Sequence, residues 1–172
     1  ANAEKFNIDP DHIISCGFSA GGHLCGCLGN MFNSADISDL RNCDFVRPTA
    51  VILSYPVSVY GEHGHNGSFI NLTNGNEELS NKLALDKCVS KLSSPAFLWH
   101  TANDNVVPVI GTIDLARKYA EYNVPFAMHI FGEGPHGIST ATEEVNAKND
   151  HVAVWIDLSI SWFKERGFKI FS

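Results

Sequence analysis

Gly17-Phe18-Ser19-Ala20-Gly21 sets a serine two residues from a glycine on either side, in a G-x-S-x-G pattern. The preceding run, His12-Ile13-Ile14-Ser15-Cys16-Gly17, is apolar and short, like a buried strand. The residues after Ser19 form a helix that runs to about Asn30. A serine at such a strand-turn-helix junction sits on a sharp, strained turn, and glycines on either side leave room for it. Free N–H groups and the positive end of the helix dipole then point at the hydroxyl. Ser19 is the candidate nucleophile, and the Ala20 N–H is the candidate oxyanion donor.

A serine hydroxyl needs a base. Eight histidines are available, so position has to choose among them. His12 lies at the start of its strand, the wrong end of the sheet, His100 and His129 lie inside strands, and His151 begins a helix. His23 is close to Ser19 but faces along its helix. His136 lies in Gly132-Glu133-Gly134-Pro135-His136-Gly137, a loop that follows a late strand and is rich enough in glycine to bend back over a sheet. Its partner acid is Asp104, in Thr101-Ala102-Asn103-Asp104-Asn105-Val106-Val107-Pro108, directly after another strand. A carboxylate there fixes the imidazole tautomer and stabilises the imidazolium. The competing role for Asp104 is a helix N-cap, but Pro108 and Val109 stand between it and the helix.

The elements that must position these groups alternate. Asn2 to Asn7 reads as a helix end, and Ile8 to Asp11 as a turn. Strands are expected at 12–17, 49–55, 96–101 and 126–131. The second is β-branched and apolar on both faces, as suits a parallel strand covered on both sides. Helices are expected at 77–91, 110–122 and 149–166, the last with Val152, Trp155, Ile156, Ile160 and Phe163 on one stripe. Residues 32–47 and 56–76 read as irregular. The order predicts an α/β fold, a parallel sheet with helices on both faces and right-handed crossovers. Chemistry in such sheets gathers at the carboxyl ends of the strands, where Ser19, Asp104 and His136 all fall.

Composition narrows the class. The 172 residues suffice for one domain with a sizeable core, and the 44% hydrophobic and 18% charged content is that of an ordinary globular protein. A formal charge of −7 argues against nucleic acid and anionic membranes as partners. No apolar run approaches the roughly 18 residues of a membrane span. Five cysteines (Cys16, Cys25, Cys27, Cys43 and Cys88) are odd in number and irregular in spacing, so they are read as reduced thiols. Cys25-Gly26-Cys27 lacks a second ligand pair, and Glu62-His63-Gly64-His65 lacks a fourth ligand, so neither is assigned a metal. The chemistry at Ser19 calls for no cofactor. Asn66-Gly67-Ser68 and Asn71-Leu72-Thr73 are glycosylation sequons, which matter only in a secretory setting. No apolar signal segment opens the chain, and a cytoplasmic location is expected on that ground alone.

Gly17-Phe18-Ser19-Ala20-Gly21-Gly22-His23-Leu24, the Asp104 segment ending Val107-Pro108, and Phe131-x-x-Gly134-x-His136-Gly137 together resemble the bacterial α/β-hydrolase esterases of the acetyl esterase and acetylxylan esterase kind. The resemblance covers essentially the whole chain. The order Ser19, Asp104, His136 is the order of that fold. It implies deacylation of a short-chain ester on a sugar or xylan fragment, with Ser19, Asp104 and His136 as triad. Such esterases carry several strands and a His-Gly-Gly loop before the elbow, and that loop supplies the second oxyanion N–H. Only 18 residues precede Ser19 here. The expectation is therefore a partial fold lacking roughly 80 residues of N-terminal strands and helices, most simply as a piece of a longer domain. An uncovered edge on the first strand would then favour a partner or self-association. Two alternatives stay open. One is a peptidase of the prolyl-oligopeptidase type, with the same triad order. The other is a non-catalytic fragment with a triad but no oxyanion loop.

Overall fold

Residues Ala50–Ser54 are buried on both faces, and the strand they form sits inside a four-stranded parallel sheet. The computed structural model describes residues 2–33 and 47–169. Its strands are β1 (Ile14–Phe18), β2 (Ala50–Ser54), β3 (Ala96–Thr101) and β4 (Phe126–Phe131), arranged in sequence order. Each pairs in parallel with the next, with Gly17 opposite Leu53, Leu53 opposite Leu98 and Leu98 opposite Met128.

Alternation along the strands sorts the core into two layers. Val51, Leu53, Ala96 and Leu98 face one side. Against them pack α2 (Ala20–Met31), α5 (Leu85–Cys88) and α6 (Val109–Glu121), through residues such as Cys25, Leu85, Leu115 and Tyr119. Ile52, Phe97 and Trp99 face the other side, under Trp155 and Phe163 of α8 (Trp155–Glu165). This split follows from topology. A chain that steps across a sheet in one direction, with crossovers of one hand, lays its crossover helices on one face. The helix after β4 is free to cover the other. Trp99 and Phe97 are fully buried core residues, and Trp99 stacks on Trp155 at 5.2 Å.

In three segments the helices differ from the sequence expectation. The irregular stretch 56–76 contains a helix, α3 (Asn66–Thr73). His65 caps it by accepting the Ser68 N–H, and Phe69, at 1% exposure, is buried with Thr73 on its inward face. The helix is only eight residues long, and its apolar Ile70 and Leu72 are exposed while Phe69 is buried, so no period shows in the sequence. The helix expected at 77–91 breaks at Ala84 into α4 (Glu77–Leu83) and α5. Ala84 is extended there, and the next N–H, of Leu85, donates to Ser58 O at 2.8 Å. The helix expected at 149–166 divides at Val154 into α7 (Asp150–Ala153) and α8. A short helix, α1 (Ala3–Phe6), precedes β1. Nearly all of the irregular reading of 32–47, and Cys43 with it, lies outside the described residues.

The elbow depends on Gly17. A Cβ there would lie 2.1 Å from Gly21 O and 2.8 Å from Cys25 Sγ. The first neighbour is helix backbone and cannot yield. Gly17→Ala is expected to destabilise the fold by about 3 kcal/mol, seen as a lower urea midpoint with unchanged slope. An unchanged midpoint would show that the β1–α2 turn relaxes freely. The requirement does not extend to Gly21, contrary to expectation: a Cβ there meets nothing within 4 Å. The second constrained glycine is Gly22, where a Cβ would press on Pro56 at 3.0 Å.

Candidate active site

Ser19 has φ 53° and ψ −119°, a backbone conformation rarely taken by a side-chain-bearing residue. The surroundings hold it there. Its N–H donates to Ser54 O at 2.9 Å, and its carbonyl accepts from His23 N at 3.1 Å and Val57 N at 3.2 Å. Ser19 is the N-cap of the twelve-residue helix α2, so Ala20 is the first helical residue. Its N–H belongs to the set with no acceptor within the helix.

The three residues expected to work together do meet. Ser19 Oγ is 2.8 Å from His136 Nε2, and His136 Nδ1 is 2.7 Å from Asp104 Oδ2. An ionised carboxylate only accepts, so Nδ1 carries the proton and donates, and Nε2 is left to accept from the Ser19 hydroxyl. Exposure falls along the relay. The His136 side chain is 16% exposed and that of Asp104 is 0% exposed. Burial pushes the Asp104 carboxyl up, but hydrogen bonds from His136, Val106 N and Val107 N outweigh it and hold the group below the usual carboxylate value. Both backbone N–H groups reach Oδ1 at 2.9 Å. Asp104 thus caps its own turn as well as pairing with His136. The helix N-cap position belongs to Pro108.

The loops that carry the acid and the base are tied to each other. Thr101 Oγ1 donates to Gly134 O at 2.8 Å, and Gly134 N donates to Asn103 Oδ1 at 2.9 Å. A Cβ on Gly134 would strike Thr101 Cγ2 at 2.8 Å, so this glycine is needed for the close approach. Beyond His136, Ser139 N donates to Tyr55 Oη at 2.9 Å and Trp155 Nε1 donates to Ser139 O at 3.1 Å.

Tyr55 is a part of the site that sequence reasoning missed. It has φ 37° just past β2, and its ring meets the His136 ring edge-on at 5.0 Å. Only the following Pro56 marked the segment as unusual. His100 is a second omission. It is fully buried in β3, yet its Nε2 lies 3.0 Å from Val107 O and 3.2 Å from Asp104 Oδ2. Its Nδ1 is 2.8 Å from Thr112 Oγ1.

The other polar candidates lie apart. His23 donates to Leu83 O at 2.9 Å, tying α2 to α4. His63 pairs with Asp114, and His65 turns to Ser68, so the 62–65 cluster does not converge. Among the described residues no group of three His, Cys, Asp or Glu side chains is placed to hold a metal. Cys16, Cys25, Cys27 and Cys88 are free thiols. Burial pushes Cys27 up to about 12 and Cys16 and Cys88 to about 11, so all three stay protonated near neutrality. A cavity of about 440 Å³ opens beside Ala20, lined mainly by His23, Leu24, Val57, Phe69 and Leu72. Val57, Ser68, Phe69 and Leu72 thus line an apolar pocket next to the elbow.

Comparisons with known proteins bear on the family and the fold. A family model described as BD-FAE matches residues 1–119, more than half of the chain. That match includes Ser19 and Asp104; His136 lies beyond it. Endo-1,4-beta-xylanase B of Butyrivibrio fibrisolvens is 39% identical over 83% of this chain and 23% of its own length. Acetylxylan esterase of Xylanibacter ruminicola is 30% identical over 82% of this chain and 29% of its own length. Among solved structures, an acetyl ester-xyloside bifunctional hydrolase from Caldicellulosiruptor lactoaceticus superposes with a TM-score of 0.84 at 36% identity. It covers 97% of this chain, which spans 61% of that protein. The carboxylesterase Cest-2923 from Lactobacillus plantarum gives 0.85 at 28% identity, over 99% of this chain and 64% of its own. The chain thus spans about a quarter of the curated relatives and under two thirds of the structural ones. A matching family model, a shared sheet and a serine at its elbow agree: this chain belongs to the BD-FAE family and has the α/β-hydrolase fold.

Proposed function

We propose that this chain carries the catalytic centre of a carboxylic ester hydrolase that removes short acyl groups, acetyl on sugars or xylan fragments, through an acyl-enzyme at Ser19. The observation that carries the reading is the unbroken relay from Ser19 Oγ through His136 to Asp104, at 2.8 and 2.7 Å. The names of the relatives support the substrate class: one is an acetylxylan esterase, one an acetyl ester-xyloside hydrolase.

The chemistry follows from the atoms. His136 Nε2 takes the Ser19 proton as Oγ attacks the ester carbonyl carbon. Negative charge develops on the carbonyl oxygen, and the Ala20 N–H, with the positive end of α2 behind it, is the donor this chain contributes. The C–O bond breaks, and His136 passes the proton to the departing alcohol oxygen. Water then attacks the acyl-Ser19 carbonyl with the same base, releasing the acid and restoring the serine. Asp104 stays ionised throughout and stabilises the imidazolium.

The test is brief incubation with an acetylated xylo-oligosaccharide, followed by acid quench and mass analysis. One acetyl group on the peptide holding Ser19 is expected. Turnover of aminoacyl amides with none of acetyl esters would assign the chain to peptide chemistry instead. No adduct and no turnover would refute the reading.

A further inference from the structure

We propose that His100 is a positioning residue for the reaction: its buried imidazole holds the Asp104 carboxylate, and the turn around it, in the orientation that His136 requires. This rests on the reading of Ser19, His136 and Asp104 as catalytic. The polar contacts of His100 are with Val107, Thr112 and Asp104 and not with Ser19, so its action is through Asp104.

The geometry is specific. A backbone carbonyl only accepts, so the 3.0 Å contact between His100 Nε2 and Val107 O places the proton on Nε2. Nδ1 is then the acceptor, and Thr112 Oγ1 donates to it at 2.8 Å. Thr112 is itself fully buried on α6, so the tautomer is fixed from outside the turn. The same Nε2–H edge lies 3.2 Å from Asp104 Oδ2, the oxygen that accepts from His136. Val107, held through its carbonyl, returns its own N–H to Asp104 Oδ1 at 2.9 Å. The carboxylate therefore meets donors at both oxygens: Val106 and Val107 at Oδ1, His136 and the His100 edge at Oδ2.

Two consequences follow. The ring stops the carboxylate from rotating about its Cβ–Cγ bond. It also puts positive N–H edge charge beside Oδ2, which weakens the pull of that oxygen on an imidazolium at His136. The other groups facing this cluster stay neutral at working pH. Burial, the largest effect on His100, disfavours its charged form. Burial likewise raises the Tyr55 hydroxyl, whose ring stands 6.5 Å from His100 and 5.0 Å from His136. Thr112 and Ser19 carry no charge.

The test compares His100→Leu, His100→Gln and Thr112→Val by steady-state kinetics against pH and by the downfield proton resonance of the His136–Asp104 bond. His100→Leu fills the space but removes the donor. Its kcat is expected to fall about 10-fold to 100-fold with KM nearly unchanged. The acid limb of its kcat/KM profile moves to higher pH by about half a unit or more, because Oδ2 then binds the imidazolium more strongly. His100→Gln presents an amide donor near the place of Nε2 and returns the limb towards wild type. Thr112→Val frees the tautomer and shifts the limb in the same direction by less; it decides the matter if His100→Leu does not fold. An acid limb that stays in place, or moves down, in folded His100→Leu or Thr112→Val overturns the proposal. So does a loss that falls on KM alone. The bridging resonance needs no turnover. A resonance that moves in His100→Leu, in a protein where Ser19→Ala leaves hydrolysis intact, would sink the esterase reading and spare the positioning contact.

Discussion

Ser19→Ala lowers kcat/KM for short p-nitrophenyl esters by about 10,000-fold to 1,000,000-fold, with no change in the urea midpoint. The magnitude is that of losing a triad nucleophile. The Oγ is the only atom of Ser19 that the relay uses, donating to His136 Nε2 at 2.8 Å. Its backbone at φ 53° is held by Ser54 O, His23 N and Val57 N, none of which touches the side chain. Alanine has the same Cβ and meets the same backbone strain, so the fold keeps its stability. What remains is attack by water near the Ala20 N–H donor. Ser19→Ala with His136→Ala is expected to be no slower than either change alone, because the base has no proton to take once the hydroxyl is gone. Turnover within 10-fold of wild type in a folded Ser19→Ala protein would remove Ser19 from the mechanism.

Asp104→Asn costs about 10,000-fold in kcat, although the side chains are nearly the same size. The reason lies in which oxygen has which neighbour. Oδ1 receives two backbone N–H groups, from Val106 and Val107, each at 2.9 Å. An amide must turn its oxygen to those donors, since its nitrogen would oppose them. The NH2 then occupies the place of Oδ2, 2.7 Å from His136 Nδ1. An NH2 donates, so Nδ1 becomes the acceptor and the ring proton moves to Nε2. That nitrogen faces Ser19 Oγ and can no longer take its proton. The loss therefore comes from the wrong tautomer in an intact turn. The midpoint of unfolding stays near wild type while the downfield His136 proton signal disappears. Activity within 10-fold of wild type would show that the ring flips its tautomer without help from Asp104.

The glycine pattern around Ser19 was legible because the elbow is local. Ser19 needs a strand before it, a helix after it, and no side chain at position 17, where a Cβ would lie 2.1 Å from Gly21 O. All three conditions are properties of consecutive residues. The same holds for β2 and β3, which are buried throughout because helices cover both faces of the sheet there. Asp104 and His136 could be chosen because the chemistry of an open parallel sheet gathers at its strand ends, and both follow a strand directly. Where a segment is short or anchored from afar, the local pattern fails. Helix α3 depends on Phe69 and a histidine cap, and the break at Ala84 depends on Ser58 O across the fold.

Sequence by itself determined the parallel α/β sheet and the residues Ser19, Asp104 and His136 at its strand ends, since strand period, turn chemistry and order along the chain are written in neighbouring residues. Tertiary structure alone decided how the relay is held. Tyr55 beneath the imidazole, Thr101 and Asn103 bridging to Gly134, and His100 with Thr112 behind Asp104 join residues between 12 and 84 positions apart. Hydrogen bonds over such separations leave no period and no spacing in the chain. They exist only once β2, β3 and β4 lie side by side and bring their carboxyl ends to one rim.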